Sequence, residues 1–298
     1  MKKYFKYIAI IIIVFGAFIF FGTFSSKDIY FIYTSDIHSQ LDGTFDYSNI
    51  ANIKNEYSKN GYVVLIDGGD FSADGEPGKE TKGAAIIDYM NDAKYDVVTL
   101  GNHDFDFGID VLADNINNAK FDVVVSNMDY IGKGSNPLKN IKKYVIKRYG
   151  STKVAYFGFI NPYDIKQVLV ENHTGDEDKL NDYDFYCDMS NPEEDGTSLV
   201  IRMQELVDEV RDKVDYVVFI SHLGTKNTQI LGSRNIPIYV SGVDIILNAH
   251  SHDIINETLM DKDNKEVVLL STGNWLKTIG IVKIDTNSLI SADLITEW

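Results

Sequence analysis

Val97-Val98-Thr99-Leu100-Gly101-Asn102-His103-Asp104-Phe105-Asp106-Phe107-Gly108 is the stretch on which the reading of this chain turns. Its first four residues are β-branched or aliphatic and read as a buried strand; Gly101 then opens a loop crowded with side chains that ligate metals or carry protons. The same order recurs along the chain. Ile29 to Tyr33 runs into Thr34-Ser35-Asp36-Ile37-His38, and Tyr62 to Ile66 runs into Asp67-Gly68-Gly69-Asp70. Farther on, Tyr216 to Ile220 leads to Ser221-His222-Leu223-Gly224, and Ile245 to Leu247 leads to Asn248-Ala249-His250-Ser251-His252. Of the six histidines, only His173 lies away from such a strand end.

Further candidate strands are Val123 to Val125, Val154 to Phe159 and Val267 to Leu270, separated by longer segments of helical pattern. The clearest helix is Leu199 to Lys213, where Leu199, Met203, Leu206, Val207 and Val210 recur at three- and four-residue spacing. This alternation specifies an α/β fold. Strand ends in such a sheet converge on one crevice, so five polar loops predict one site. Gly280 to Ile284 and Leu289 to Trp298 read as the closing edge of a single domain spanning residues 28–298.

The 298 residues carry 28 Lys plus Arg against 44 Asp plus Glu, a net charge of −16. That balance leaves no basic footprint for a phosphate backbone and argues against nucleic-acid binding. With one cysteine, Cys187, no intrachain disulfide is available. Asp176 to Asp195 holds nine acidic residues and lacks the carboxylate spacing of a calcium loop, so it reads as a solvated surface excursion, with His173 beside it as a surface residue. At the other end, Lys2, Lys3 and Lys6 precede an uncharged run from Tyr7 to Ser26. A helix of that length, at roughly 1.5 Å per residue, reaches about 30 Å, enough to span a bilayer. Residues 1–27 are therefore expected to be a signal anchor, or a signal peptide if cleaved. The flanking lysines place the remainder outside the cytoplasm, at the cell membrane or secreted.

Imidazole nitrogens, carboxylates and an amide oxygen, without thiolate, suit Mn, Zn, Fe or Co. Asp36, His38, Asp70, Asn102, His222, His250 and His252 are seven donors, enough for two divalent ions if one carboxylate bridges them.

These blocks, in this order, resemble the signature of the calcineurin-like binuclear metallophosphatases. Tyr33 to Ser39, Gly83 to Asn91, Asp96 to Gly108 and Gly273-Asn274-Trp275 narrow the resemblance to the catalytic domain of the 5′-nucleotidase and UDP-sugar hydrolase family. The resemblance implies a four-layer α/β/β/α sandwich. It also implies one ion on Asp36, His38, Asp70 and His252, and the other on Asp70, Asn102, His222 and His250, with Asp70 bridging. His103 would be catalytic and Asp106 its orienting partner.

The implied activity is hydrolysis of nucleotides or related phosphate esters. In that family a C-terminal domain grips the nucleoside, and the sequence up to Trp298 has no counterpart to it. The expectation therefore leaves three sources of specificity: broad phosphoesterase action, a partner subunit completing the cleft, or closure by Tyr163 to Thr197. Two other functions stay open at this point: a noncatalytic metal-binding surface protein on the same fold, and a hydrolase of cyclic diesters or sulfur-containing substrates.

Overall fold

The computed structural model describes residues 27–161, 185–187, 197–225 and 231–298. The expected membrane segment and His173 lie outside them, as does most of the acidic excursion; among the described residues no helix is long and apolar enough to cross a membrane.

Among the described residues, fourteen strands follow in chain order. They are β1 Asp28–Thr34, β2 Gly61–Asp67, β3 Val97–Val98, β4 Asp122–Val123, β5 Met128–Tyr130, β6 Tyr144–Tyr149 and β7 Thr152–Ile160. The rest are β8 Phe185–Cys187, β9 Tyr216–His222, β10 Ile245–Asn248, β11 Ile254–Met260, β12 Glu266–Thr272, β13 Ile279–Ile284 and β14 Ile290–Ile295. Four helices of ten or more residues accompany them: α1 Tyr47–Tyr57, α2 Ala84–Ala93, α3 Ile109–Asn118 and α4 Thr197–Val210. The start of α1 is set locally: the Asp46 carboxylate accepts the Asn49 N–H at 2.8 Å while the Asn49 side chain accepts the Asp46 N–H at 2.9 Å. This reciprocal cap satisfies donors that the first helical turn leaves unpaired.

Two six-stranded sheets form, in the orders β14-β13-β1-β2-β3-β4 and β11-β12-β10-β9-β7-β6. Within them β1-β2-β3-β4 and β7-β9-β10-β12 run parallel, and β13 closes against β1 antiparallel, as expected of the C-terminal strands. Alternation along each strand separates three apolar layers. Phe31, Tyr33, Val64 and Ile66 face Tyr156, Val218, Ile220 and Leu247 between the sheets. Tyr30, Ile32 and Leu65 instead meet Ile50, Met90 and Leu112 from α1, α2 and α3. On the outer face of the second sheet, Phe157, Phe159 and Phe219 pack on Leu199, Met203 and Val207 of α4. The arrangement is an α/β/β/α sandwich. Each fully buried large apolar side chain contributes about 1.5–3 kcal/mol, so the middle layer clamps the two sheets and sets where their ends meet.

Several sequence expectations need correction. The ladder at Val97 to Leu100 spans only Val97–Val98, because the chain beyond enters a site loop, and that at Val123 to Val125 spans Asp122–Val123, beyond which Val125 N–H donates to Lys142 O and Ser126 N–H to Gly158 O. β6 and β11 were unforeseen. They are the outermost strands of the second sheet, with polar residues such as Arg148, Asn256 and Thr258 at alternate exposed positions and only short apolar runs. The acidic excursion is not all loop: Phe185–Cys187 pairs antiparallel with β5. The helix expected over Leu199 to Lys213 ends its α-helical part at Val210, followed by a short 3-10 turn.

Candidate metal centre

The loops after β1, β2 and β3 and the ends of β9 and β10 meet at one end of the sandwich, all at carboxyl ends of parallel strands. Hydrogen bonds continue the β1–β2 ladder outward: Asp36 N–H donates to Gly69 O at 3.0 Å and His38 N–H to Asp70 O at 2.8 Å. Across the interface, the buried Tyr33 hydroxyl donates to Asn248 O at 2.8 Å, tying the sheets together where the site begins.

All seven expected donors converge. Oxygen and nitrogen atoms of Asp36, His38 and His252 lie within 4.8 Å of one another, and so do those of Asp70, His222 and His250. Asn102 Oδ1 stands 3.1 Å from His250 Nδ1 and joins the second group. Asp70 lies between the two: its Oδ2 is 3.0 Å from His222 Nε2 and 3.8 Å from His38 Nε2. Its other oxygen, Oδ1, accepts the His103 N–H at 2.7 Å.

The residues fit a pair of cations. His222 Nε2 and Asp36 Oδ2 are buried with no aligned hydrogen-bond partner, an expensive condition unless another electrophile takes their lone pairs. His38 Nε2 faces His252 Nε2 at 3.1 Å. Two imidazole nitrogens bound to one ion at about 2.0–2.1 Å stand roughly 3.0–3.5 Å apart, so this spacing is that of neighbouring ligands.

The local backbone is held in an uncommon conformation. Asp36, His38, Asp70, His250 and His252 have φ of +51°, +51°, +55°, +78° and +56°. Left-handed backbone costs a non-glycine residue of order 1–3 kcal/mol, so five such residues in one cluster need the surrounding hydrogen bonds to hold them. Gly101 answers a different demand: a Cβ there would lie 2.2 Å from Asp70 Oδ1 and 2.5 Å from His222 Nε2.

Electrostatics ties the groups together. Burial would push His222 down, but contact with the Asp70 carboxylate outweighs it and holds the imidazole up to about 10. Burial likewise works to raise Asp70, and the neighbouring imidazolium of His222 overrides it, leaving the carboxyl below its usual range. A proton on His222 and a divalent cation compete for one lone pair, so cation binding releases a proton. His222 Nδ1–H donates to Gly68 O at 2.7 Å, which leaves Nε2 to face Asp70.

His103 stands at the rim with its side chain 36% exposed, and its Nδ1 donates to Asp106 Oδ2 at 3.1 Å. That bond to Asp106, opposed by partial burial and aided by the charge of Asp70, raises the imidazole to about 9.

Three supporting residues were not singled out by sequence. Asp104, inside the opening stretch, accepts from the N–H groups of Asp70, Phe71, Ser72 and Gly101 and from the Ser72 hydroxyl, at 2.8–3.1 Å. It joins the β2 and β3 loops; burial and the charge of Asp70 push its carboxyl up to about 6. Its spacing in the sequence does not distinguish a brace from a ligand. Asn274 Nδ2 lies 3.1 Å from His252 Nδ1, and its signal was the Gly273-Asn274-Trp275 block. Asp74 Oδ2, on the loop after β2, lies 2.8 Å from His38 Nδ1 and had no signal in sequence.

The model of the family described as bacterial capsule synthesis protein PGA_cap matches residues 70–278, more than half of the chain and from Asp70 through both loop histidines at 250 and 252. The chain belongs to that family. Its domain is of the calcineurin-like, 5′-nucleotidase type. The 2′,3′-cyclic-nucleotide 2′-phosphodiesterase/3′-nucleotidase of Haemophilus influenzae is 28% identical over 87% of this chain and 43% of its own length. Human 5′-nucleotidase is 25% identical over 75% of this chain and 38% of its own. The chain thus spans less than half of these curated relatives.

Among solved structures, the 5′-nucleotidase precursor of Thermus thermophilus superposes with TM-score 0.73 at 19% identity, covering 91% of this chain and 54% of that one. The calcineurin-like phosphoesterase YfkN of Bacillus subtilis superposes with TM-score 0.65 at 18% identity, covering 91% of each chain. At these identities the superpositions establish the shared fold of this PGA_cap-family domain. They do not carry over an activity.

Proposed function

We propose that this chain hydrolyses phosphate esters, nucleotides or related compounds, at a two-metal centre. The observation that carries the reading is Asp70 Oδ2 between two groups of donors, 3.0 Å from His222 and 3.8 Å from His38. Asp36, His38, Asp70 and His252 would hold one divalent ion, and Asp70, Asn102, His222 and His250 the other, with Mn, Zn, Fe or Co suited to the donor set. When bound, two such ions supply Lewis-acid charge for phosphoryl oxygens and lower the pKa of a coordinated water.

The chain's own residues do the rest. Asp36 and Asp70 contribute two negative charges, so the loaded centre keeps a surplus of about two positive charges, matched to a phosphate monoester dianion despite the acidic surface. Asp106 accepts the His103 Nδ1–H and fixes the ring, so that Nε2 can carry the proton donated to the leaving oxygen as the P–O bond breaks. The strained, hydrogen-bonded loops keep the donors oriented before substrate arrives, which lowers the cost of organising the transition state.

Nucleotides are favoured as substrates by the activities named for the relatives. The reading further places the domain outside the cytoplasm, anchored by residues 1–27, on the strength of the apolar run behind three lysines. Metal-stripped protein reloaded with Mn, Zn, Fe or Co tests the activity on AMP, a 2′,3′-cyclic nucleotide, UDP-glucose and an aryl phosphate. Metal-dependent cleavage of at least one is expected; no cleavage of any with both ions bound would overturn the reading.

A further inference from the structure

We propose that Asp74 is a positioning residue for His38, and that it selectively strengthens the cation site of Asp36, His38 and His252; this rests on the two-metal reading above. His38 is 4% exposed, and its Nε2 is turned toward His252 Nε2 at 3.1 Å. A neutral imidazole that gives one nitrogen to a cation keeps its proton on the other, and that N–H needs an acceptor to fix the ring. The oxygen beside His38 Nδ1 is Asp74 Oδ2, at 2.8 Å. The two atoms touch without hydrogen-bond alignment, and Nδ1 has no aligned partner among the described residues. At that distance, alignment of the N–H with the carboxylate oxygen would make the contact a hydrogen bond.

The backbone holds this carboxylate in place. Gly75 N–H donates to His38 O at 2.8 Å, and a Cβ on Gly75 would meet Ser39 O at 2.4 Å, so the turn carrying Asp74 is pressed on the His38 loop. Asp74 itself sits at φ +71°, a conformation aspartate tolerates better than most residues. The two sites differ in consequence. His222 Nδ1 is anchored by a backbone carbonyl, Gly68 O, whereas His38 Nδ1 depends on a half-exposed side chain that substitution can remove.

The experiment titrates the metal-stripped full chain with Co²⁺, reading heat and the cobalt absorption spectrum, for wild type, Asp74→Asn and Asp74→Gly. Glycine keeps the left-handed backbone without strain, so its effect reports the carboxylate. Wild type is expected to take up two ions. In Asp74→Gly one binding step weakens by roughly tenfold to a hundredfold while the other stays unchanged, with Asp74→Asn between the two because its amide oxygen still accepts. Unchanged affinities in Asp74→Gly, or equal weakening of both steps, overturn the assignment. So does a wild-type third ion that disappears in the variant with the other two intact, which would make Asp74 a ligand beside His38 and His103. Wild type binding fewer than two ions overturns the two-metal reading and this assignment with it.

Discussion

Asp70 Oδ2 and His222 Nε2 lie 3.0 Å apart, yet His222 Nε2 has no aligned hydrogen-bond partner. The two are close without being hydrogen-bonded to each other. With His38 Nε2 3.8 Å from the same oxygen, Asp70 becomes the member that both donor groups share.

Asp70→Ala should therefore remove both cations at once, whereas loss of a residue from one group should spare the other. Inductively coupled plasma analysis of the purified variant would show close to no bound metal. Adding metal to stripped wild type should raise its Tm, since a ligand at one hundred times its Kd stabilises by about 2.7 kcal/mol, and Asp70→Ala should lose that response.

His103→Ala leaves the seven donors untouched and should lower kcat by about a hundredfold to ten-thousandfold with two ions still bound. Asp106→Asn should fall in the same direction by less, because the ring keeps a partner for Nδ1 but loses the charge beside it. Steady-state kinetics with metal analysis separates these outcomes, and full turnover by His103→Ala would remove it from the mechanism.

Gly101→Ala introduces a methyl group 2.2 Å from Asp70 Oδ1 and 2.5 Å from His222 Nε2. Those side chains are 2% and 0% exposed and have nowhere to retreat, so overpacking should cost about 1–3 kcal/mol. Thermal unfolding of the stripped variant measures that cost, and metal titration should show weakened uptake.

Asp67 offers a pH signature in the metal-stripped protein. Burial raises its carboxyl well above the usual range, with Asp104 and Asp36 adding to the effect against hydrogen bonds from Thr34 and Gly69. The folded state thus holds its proton at pH values where the unfolded state has lost it, so this group lowers stability as pH rises above the unfolded value of about 3.9, by up to about 1.4 kcal/mol per pH unit until the folded-state value is reached. Asp67→Asn removes that term, so the Tm of the variant minus that of wild type should grow between pH 4 and pH 8. A flat or shrinking difference would show that Asp67 is ionised in the fold.

The loops were legible because their chemistry is written in residue type and order. A strand end followed by Asp-x-His, Asn-His-Asp or His-x-His is weak evidence alone, but five polar strand endings in one α/β chain converge for topological reasons. The edge strands β6 and β11 were not legible, since a strand with one solvated face carries polar residues at alternate positions and loses its apolar signature. Asp104, Asn274 and Asp74 escaped for another reason. A residue that acts on a ligand rather than as one is defined by what it touches, and its partners lie 3, 22 and 36 residues away or across a sheet.

By itself the sequence determined the alternating α/β pattern and supplied seven candidate donors, because apolar periodicity and donor chemistry are local properties; the His103–Asp106 pair came from the family resemblance. The resemblance implied a shared Asp70, but the tertiary structure decided its distances to the two groups and which nitrogen of His222 would face it. It alone also decided that Gly101 must carry no side chain. Those facts depend on distances between chain segments as far apart as Gly68 and His222, and such distances are set by the packing of one sheet on the other.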